Sequence, residues 1–84
     1  MIKMSVTIDD VNDALNEMIN DATVPKNVKI KLNLTLKALS DNNEDISLRI
    51  NKALNELDEL TDDINIESFT RTQLWNIVSM LEMI

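Results

Sequence analysis

The chain has 84 residues, a formal net charge of −7 at pH 7, and no cysteine, histidine, tyrosine or glycine. This composition excludes disulfides, zinc sites, thiolate or histidine catalysis, and glycine-rich phosphate-binding loops. Hydrophobic residues make up 44% of the chain, which is typical of a folded globular protein, yet no apolar run is long enough to span a membrane.

The first predicted element is a helix over residues 8–21. Thr7 precedes it and Asp10 follows three residues later, a spacing that favours a capping box in which each side chain binds the other residue's backbone N–H. Apolar residues then recur at helical spacing and form one narrow stripe. The stripe consists of Val11, Ala14, Leu15, Met18, Ile19 and Ala22.

The second segment, NVKIKLNLTLKAL (residues 27–39), fits two periodicities. Its apolar residues alternate as in a half-buried strand, but no other segment alternates, and a lone strand would leave its backbone groups unpaired. Because Pro25 suits the first turn of a helix, we predict a helix over 25–40 with an apolar arc of about 240°. One stripe of this arc is Val28, Leu32, Leu36 and Leu39, and the other is Ile30, Leu34 and Ala38.

Two further helices follow. A polar loop at residues 40–45 offers several N-caps for a helix over 44–61. The last helix starts at Glu67 or Ser68 and runs close to the C-terminus. The predicted core residues of these helices are Ile46, Ile50, Ala53, Leu54, Leu57, Leu60, Leu74, Ile77, Val78 and Leu81.

The chain contains an internal repeat. VNDALNEM (residues 11–18) matches INKALNEL (residues 50–57) at five of eight positions with a spacing of 39, and after a three-residue insertion the spacing becomes 42. We interpret the repeat as two helical hairpins, at about 8–40 and 44–84, within a single domain over 1–84. Two hairpins packed face to face predict an all-α, up-down four-helix bundle, and the alternative is two turns of an α-solenoid.

Two stretches carry a resemblance to a known family. TRTQLWNIVSMLEMI (residues 70–84) is similar to the C-terminal signature of the small archaeal Uncharacterised Protein Family 0147, and NDATVPKNVK (residues 20–29) resembles a turn of the same family. That family usually has proline where this chain has Glu67, and arginine where it has Lys29. The resemblance implies a helical bundle of archaeal, cytoplasmic origin and implies no activity.

The wide apolar arc of the second helix suggests a contact surface. Ile30 and Leu34 exceed what a bundle core requires, and exposed apolar patches usually mark contact sites. On the last helix, exposed tryptophan and arginine are typical of interface hot spots. The interface candidates are therefore Ile30, Leu34, Arg71, Trp75, Ile77 and Met80.

Each of these candidates has a structural alternative. The second and fourth helices could be the more buried pair within one chain. Trp75 could cover the edge of the bundle, with Arg71 stacked on its ring. We favour self-association, because a core built from so short a chain benefits from shared burial. Another protein is the alternative partner.

A stripe of lysines gives a rival hypothesis from a different functional class. Lys26, Lys29 and Lys37 lie at helical spacing in a stretch without acids and are possible phosphate contacts, with Arg71 in the second hairpin. The alternative function is therefore an RNA- or ribosome-associated factor. An acidic chain makes nucleic acid the weaker hypothesis, and the stripe can equally be a solvated helix face.

The carboxylates predict no catalytic, metal or cofactor site. Most of them lie opposite the apolar stripes and face water, and DNNED (residues 41–45) lacks the central glycine of a calcium loop. Catalysis needs convergent titratable groups in a pocket. The sequence therefore predicts a non-enzymatic protein-protein interaction module without a cofactor.

Overall fold

In the computed structural model, which describes residues 5–84, the chain forms four α-helices. They are α1 (Ile8–Ile19), α2 (Lys26–Leu39), α3 (Ile46–Thr61) and α4 (Ser68–Glu82). No strand occurs within the described range, so the alternating segment at residues 27–39 is helical, as predicted. The first four residues of the predicted domain lie outside this range.

Local sequence sets the helix starts. The capping box predicted before α1 is confirmed: the Thr7 amide donates to Asp10 Oδ2 at 3.0 Å, and the Asp10 amide donates to Thr7 Oγ1 at 3.2 Å. Asp45 caps α3 by accepting a hydrogen bond from the Leu48 amide at 2.9 Å. Side chains therefore satisfy amide groups that a helix N-terminus leaves free.

The three loops share one geometry, in which an aspartate closes the turn. Asp21, Asp41 and Asp63 each accept a hydrogen bond from the amide two residues later, at 2.8, 3.1 and 2.9 Å. Such Asx-turns stand in for a backbone turn. No residue of the described range needs a positive φ, which explains how a chain without glycine reverses direction three times.

The helices form a ring in which each contacts its two neighbours along the ring. The contacting pairs are α1–α2, α2–α3, α3–α4 and α4–α1, and the α2–α3 contact is the most extensive. Between Ser5 and the C-terminus, α1 and α3 make no contact, nor do α2 and α4, so each of these pairs occupies diagonal corners. This arrangement is the predicted up-down four-helix bundle.

The buried residues of the two halves correspond at a constant spacing of 42. Every buried residue at positions 11–39 has a buried counterpart in the second half, and no insertion intervenes. The pairs are Val11 and Ala53, Leu15 and Leu57, Met18 and Leu60, Val24 and Ile66, Val28 and Thr70, Leu32 and Leu74, Thr35 and Ile77, and Leu39 and Leu81. The spacing of 39 for the first helices, derived from letter identity, is therefore wrong by nearly one helical turn.

Three details of the predicted core are also wrong. Thr35, rather than Leu36, completes the buried stripe of α2, because Thr35 Oγ1 donates to the Lys31 carbonyl oxygen at 2.9 Å and thereby satisfies its hydroxyl. Leu36 is half-buried, and Ala22 is exposed because α1 ends three residues before it. Ile46, predicted as a core residue of α3, is exposed as well. The first turn of α3 extends beyond the start of α1 in the repeat, and there Ile46 and Leu48 are exposed.

Candidate interaction surfaces

Four side chains form a stripe along the solvent-facing side of α2. Lys26, Ile30, Leu34 and Lys37 follow one another at intervals of four, four and three residues, which places them on one side of a helix. We call this stripe the α2 outer face. Ile30 and Leu34 are 56% and 45% exposed, so this side of α2 is not covered within one chain.

A different lysine of α2 is neutralised within the bundle. Lys31 Nζ lies 2.9 Å from Glu59 Oε2 and 3.5 Å from Glu56 Oε1 on α3. The hydrogen bond to Glu59 raises the pKa of Lys31, and the same bond is the main cause that lowers the pKa of Glu59. These two acids of α3 are therefore engaged, and the ammonium groups of Lys26 and Lys37 make no ion pair with any residue in the range 5–84.

The α2 outer face continues into an open groove between α2 and α3. The groove has a volume of about 690 Å³, and Leu34 and Ala38 supply apolar lining. Its polar lining residues are Lys37, Ser40, Asp41, Lys52, Asn55 and Glu56. Lys52 is paired with Glu44 at 3.7 Å. The groove therefore offers aliphatic surface beside the ammonium group of Lys37, which makes no ion pair within residues 5–84, and such an arrangement is suited to binding.

Arg71, predicted as an interface residue, is engaged within the bundle. Its Nε donates to the Thr61 carbonyl oxygen at 3.2 Å, and its Nη2 donates to the Asp63 carbonyl oxygen at 2.7 Å. Arg49 acts in the same way on the preceding loop, where Nε and Nη2 both donate to the Leu39 carbonyl oxygen. Each arginine is the fourth residue of its helix and caps the end of the helix before it.

Lys29, predicted as a phosphate contact, occupies the corresponding place over the first loop. It is the fourth residue of α2, lies 42 residues before Arg71, and is half-buried. Its charge helps lower the pKa of Asp21, although the hydrogen bond from the Thr23 amide is the larger cause. Lys29 therefore lies beside an acid of the first loop, whereas Lys26 and Lys37 are exposed.

The solvent-facing side of α4 has a different chemistry. Phe69 and Trp75 are 70% and 55% exposed, and Glu82 is exposed near the end of the helix. With Thr72 and Ser79 between them, these residues follow one another at intervals of three or four, and we call them the α4 outer face. Trp75 does not cover the core. Phe69 was missed by sequence reasoning, and the signal was its position one residue before the buried stripe begins at Thr70.

Two other candidates on α4 are core residues or border the core. Ile77 is 2% exposed, so it is wrong as an interface residue. Met80 is half-buried against the core and lines a groove of about 290 Å³ between α1 and α4. Gln73 lines the same groove, and its buried Oε1 has no hydrogen-bond partner. Gln73 is the counterpart of Lys31, so the α1–α4 contact lacks the ion pair that the α2–α3 contact has.

The α2 and α4 outer faces are two separate surfaces. Because α2 and α4 occupy diagonal corners of the bundle, their solvent-facing sides point away from each other. A single continuous interface across the second and fourth helices is therefore excluded. Any contact involving both faces must join two different neighbours or two different copies.

Neither a cluster of metal ligands nor a membrane-spanning helix is found within residues 5–84. Within that range, no three acids come together in a way that could hold a metal ion. None of the four helices combines the length and the apolar character needed to cross a membrane. The exposed surfaces of α2 and α4 carry apolar side chains that a partner could cover.

The chain is similar in sequence to members of one protein family. The profile of the Uncharacterised protein family (UPF0147) matches residues 1–84. A UPF0147 protein of Methanocaldococcus jannaschii is 40% identical over 70 residues, which are 83% of this chain and 75% of that protein. A UPF0147 protein of Thermoplasma volcanium is 43% identical over 68 residues, which are 81% of this chain and 76% of that protein.

Two solved structures share the fold. The crystal structure of a protein from the uncharacterized family UPF0147 from Thermoplasma acidophilum superposes with a TM-score of 0.85 at 39% identity, over 89% of this chain and 88% of that chain. A crystal structure of an unknown function protein has a TM-score of 0.85 at 31% identity and covers 98% of each chain. The resemblance found in the sequence is therefore confirmed.

Proposed function

The chain belongs to the uncharacterised protein family UPF0147, and from that premise we propose that it is a non-enzymatic protein-protein interaction module that self-associates. The observation that carries this proposal is the α2 outer face, where two aliphatic side chains are about half exposed between two lysines that form no ion pair with the part of the chain that the structure describes. Contiguous exposed aliphatic surface of this kind is typical of contact sites.

The energetics of burial support the proposal. Covering a fully exposed leucine or isoleucine side chain is worth about 1.5–3 kcal/mol. Because Ile30 and Leu34 are about half exposed in the free chain, a partner gains roughly 1 kcal/mol from each of them. The small core of an 84-residue chain adds to the benefit, since burial shared between copies compensates for a high ratio of surface to volume.

The repeat supplies a test variant that the fold should tolerate. Thr72 and Asn76 occupy, in the second half, the positions that Ile30 and Leu34 occupy in the first. We call the double substitution Ile30→Thr and Leu34→Asn the α2-blocked variant. It gives α2 the solvent-facing residues that α4 already carries, so its helix content should be unchanged by circular dichroism.

Sedimentation velocity over a range of concentrations tests the proposal at about 0.15 M salt. We expect the average mass of the wild type to rise with concentration above the 9.6 kDa of one chain, and the α2-blocked variant to associate at least tenfold more weakly. Ile46→Thr is the matched control, because Ile46 is similarly exposed but lies at the end of the bundle. A wild type that stays monomeric throughout contradicts the self-association.

Nucleic acid is the rival partner, and the same protein tests it. The double substitution Lys26→Ser and Lys37→Ser removes the two exposed lysines of α2. A labelled single-stranded RNA should show no binding that depends on these lysines. RNA binding that weakens steeply between 50 and 200 mM salt and disappears in this variant would favour the RNA-associated alternative instead.

A further inference from the structure

We infer that the protein self-associates head to tail, with the α2 outer face of one copy packed against the α4 outer face of the next. This inference rests on the proposed function and adds the identity of the second surface. The partner is thus a second copy of this chain, bound through a different helix. The argument depends on charge, on side-chain type and on the positions of the two helices in the bundle.

The two faces carry opposite charge. On α2, Lys26 and Lys37 lie on either side of the aliphatic pair, and the helix contains no acid. On the α4 outer face the charged residue is the exposed acid Glu82, and a second exposed acid, Glu67, immediately precedes the helix. Arg71, the one basic residue of α4, is engaged by the backbone carbonyl oxygens of Thr61 and Asp63. Antiparallel packing would bring each lysine near an acid of the other copy, a complementary arrangement that favours association.

The apolar residues of the two faces also match. The α2 outer face presents flexible aliphatic side chains, whereas the α4 outer face presents the two aromatic rings of Phe69 and Trp75. Aliphatic side chains pack well on broad aromatic surfaces, and aromatic residues are enriched at the centres of interfaces. The α2 outer face therefore supplies aliphatic side chains, and the α4 outer face supplies the aromatic rings on which they can pack.

Pairing of like faces is disfavoured. Two α2 outer faces packed antiparallel would place Lys26 of one copy near Lys37 of the other, and two α4 outer faces would bring Glu67 near Glu82. Like charges in contact cost free energy and suppress such pairings. Each copy also carries a net charge of −7. At about 0.15 M salt, however, charges more than roughly 8 Å apart are largely screened, so the charges of the contacting side chains determine which faces pair.

The positions of the helices determine the symmetry of the assembly. Because α2 and α4 lie at diagonal corners, one copy cannot offer both faces to the same neighbour. The contact is therefore heterologous: every copy uses its α2 outer face on one neighbour and its α4 outer face on another. Such contacts build rings or open chains rather than closed two-fold dimers.

A second variant, blocked on the other face, makes the inference testable. The α4-blocked variant carries Phe69→Asn and Trp75→Asn, which are the residues that α2 holds at the corresponding positions Asn27 and Asn33. Each blocked variant keeps one intact face. Circular dichroism and urea unfolding establish that both variants are folded before association is measured.

Sedimentation velocity of the separate and mixed variants at about 0.15 M salt is the decisive experiment. We expect the wild type to exceed the mass of two 9.6 kDa chains as concentration rises. Each blocked variant alone should stay monomeric, and an equimolar mixture should form dimers and nothing larger, because one intact pair of faces is available. Lys26→Ser with Lys37→Ser should weaken wild-type association at least tenfold and make it insensitive to salt.

Other results would overturn the inference and leave the proposed function intact. If the α4-blocked variant still dimerises alone, the contact joins two α2 outer faces. If the α2-blocked variant still dimerises alone, it joins two α4 outer faces. Blocked variants that stay monomeric when mixed would also refute the head-to-tail contact. A monomeric wild type would instead refute the proposed self-association itself.

Discussion

Arg71 and Lys29 hold the same place in the two halves of the bundle: each is the fourth residue of its helix and lies over the end of the preceding helix. The guanidinium of Arg71 donates to the carbonyl oxygens of Thr61, the last residue of α3, and of Asp63 in the loop that follows. The pKa of Asp21 in the first loop is lowered mainly by the hydrogen bond from the Thr23 amide, and the charge of Lys29 contributes to the same shift. Arginine offers five donors in a planar fork, which suits two carbonyl acceptors better than an ammonium group does.

Substitution of Lys29 by arginine should therefore stabilise the protein. The new guanidinium can donate to the carbonyl oxygens that end α1, as Arg71 does for α3, and we expect a gain of about 0.5–1.5 kcal/mol. Arg71→Lys is the converse change and should destabilise by about 1–2 kcal/mol, since two charged hydrogen bonds are lost. Urea unfolding followed by circular dichroism measures both. A Lys29→Arg variant with a lower free energy of unfolding than the wild type would contradict the equivalence of the two positions.

Ile77 is a core residue in the structure, so its truncation should affect stability and leave association unchanged. Ile77→Ala should cost about 2–4 kcal/mol, the usual range for truncating a buried isoleucine. Thermal and urea unfolding measure the loss. Sedimentation at a temperature where the variant is folded should show wild-type association. If Ile77→Ala weakened association and left stability unchanged, Ile77 would be an interface residue rather than a core residue.

The residue before α4 should accept proline. Glu67 has φ −62° and ψ 149°, which nearly match the φ −60° and ψ 150° of Pro25 before α2, and both helices begin one residue later. Glu67 therefore leads into α4 with the same backbone geometry that Pro25 gives α2, although the family usually has proline at the position of Glu67. Because its amide makes no hydrogen bond within residues 5–84, Glu67→Pro should stabilise by about 0.4–1 kcal/mol by restricting the unfolded chain. Glu67→Ala is the control for the lost charge. A Glu67→Pro variant that is less stable to unfolding than Glu67→Ala would contradict the prediction.

The ion pair between Lys31 and Glu59 should make stability depend on pH in two windows. Glu59 has a pKa below its ordinary 4.5, so its contribution is present above pH 4.5 and is lost as the pH falls through the folded value. Lys31 has a pKa above its ordinary 10.5, so its contribution is present below pH 10.5 and is lost as the pH rises through the folded value.

Urea unfolding across pH tests this dependence. The difference in stability between wild type and Lys31→Gln should be largest between about pH 5 and 10 and should shrink at both extremes. Lys26→Gln, measured at a protein concentration at which the wild type is monomeric, is the matched control, because Lys26 makes no ion pair within residues 5–84 and its removal should leave the pH profile unchanged. A constant difference between wild type and Lys31→Gln at every pH would show that the pair makes no electrostatic contribution.

The sequence by itself determined the helices and their packing class. Helical spacing of apolar residues, the capping residues Thr7 and Asp45, and Pro25 act within a few residues of one another, so local pattern was enough to place all four elements. The exposure of Ile30 and Leu34 was also predicted, because an apolar arc of about 240° cannot fit inside one bundle.

Tertiary structure decided how the two halves correspond and what the charged and aromatic residues do. The true spacing of 42 appears in burial rather than in letter identity, since a core position tolerates Thr35 in one half and Ile77 in the other. Arg71 proved to donate hydrogen bonds to the end of α3 and to the loop after it, and Ile77 proved to be a core residue. The two outer faces proved to be separate surfaces. Each of these facts depends on contacts across loops or across the bundle, and such contacts leave no periodic signal in the chain.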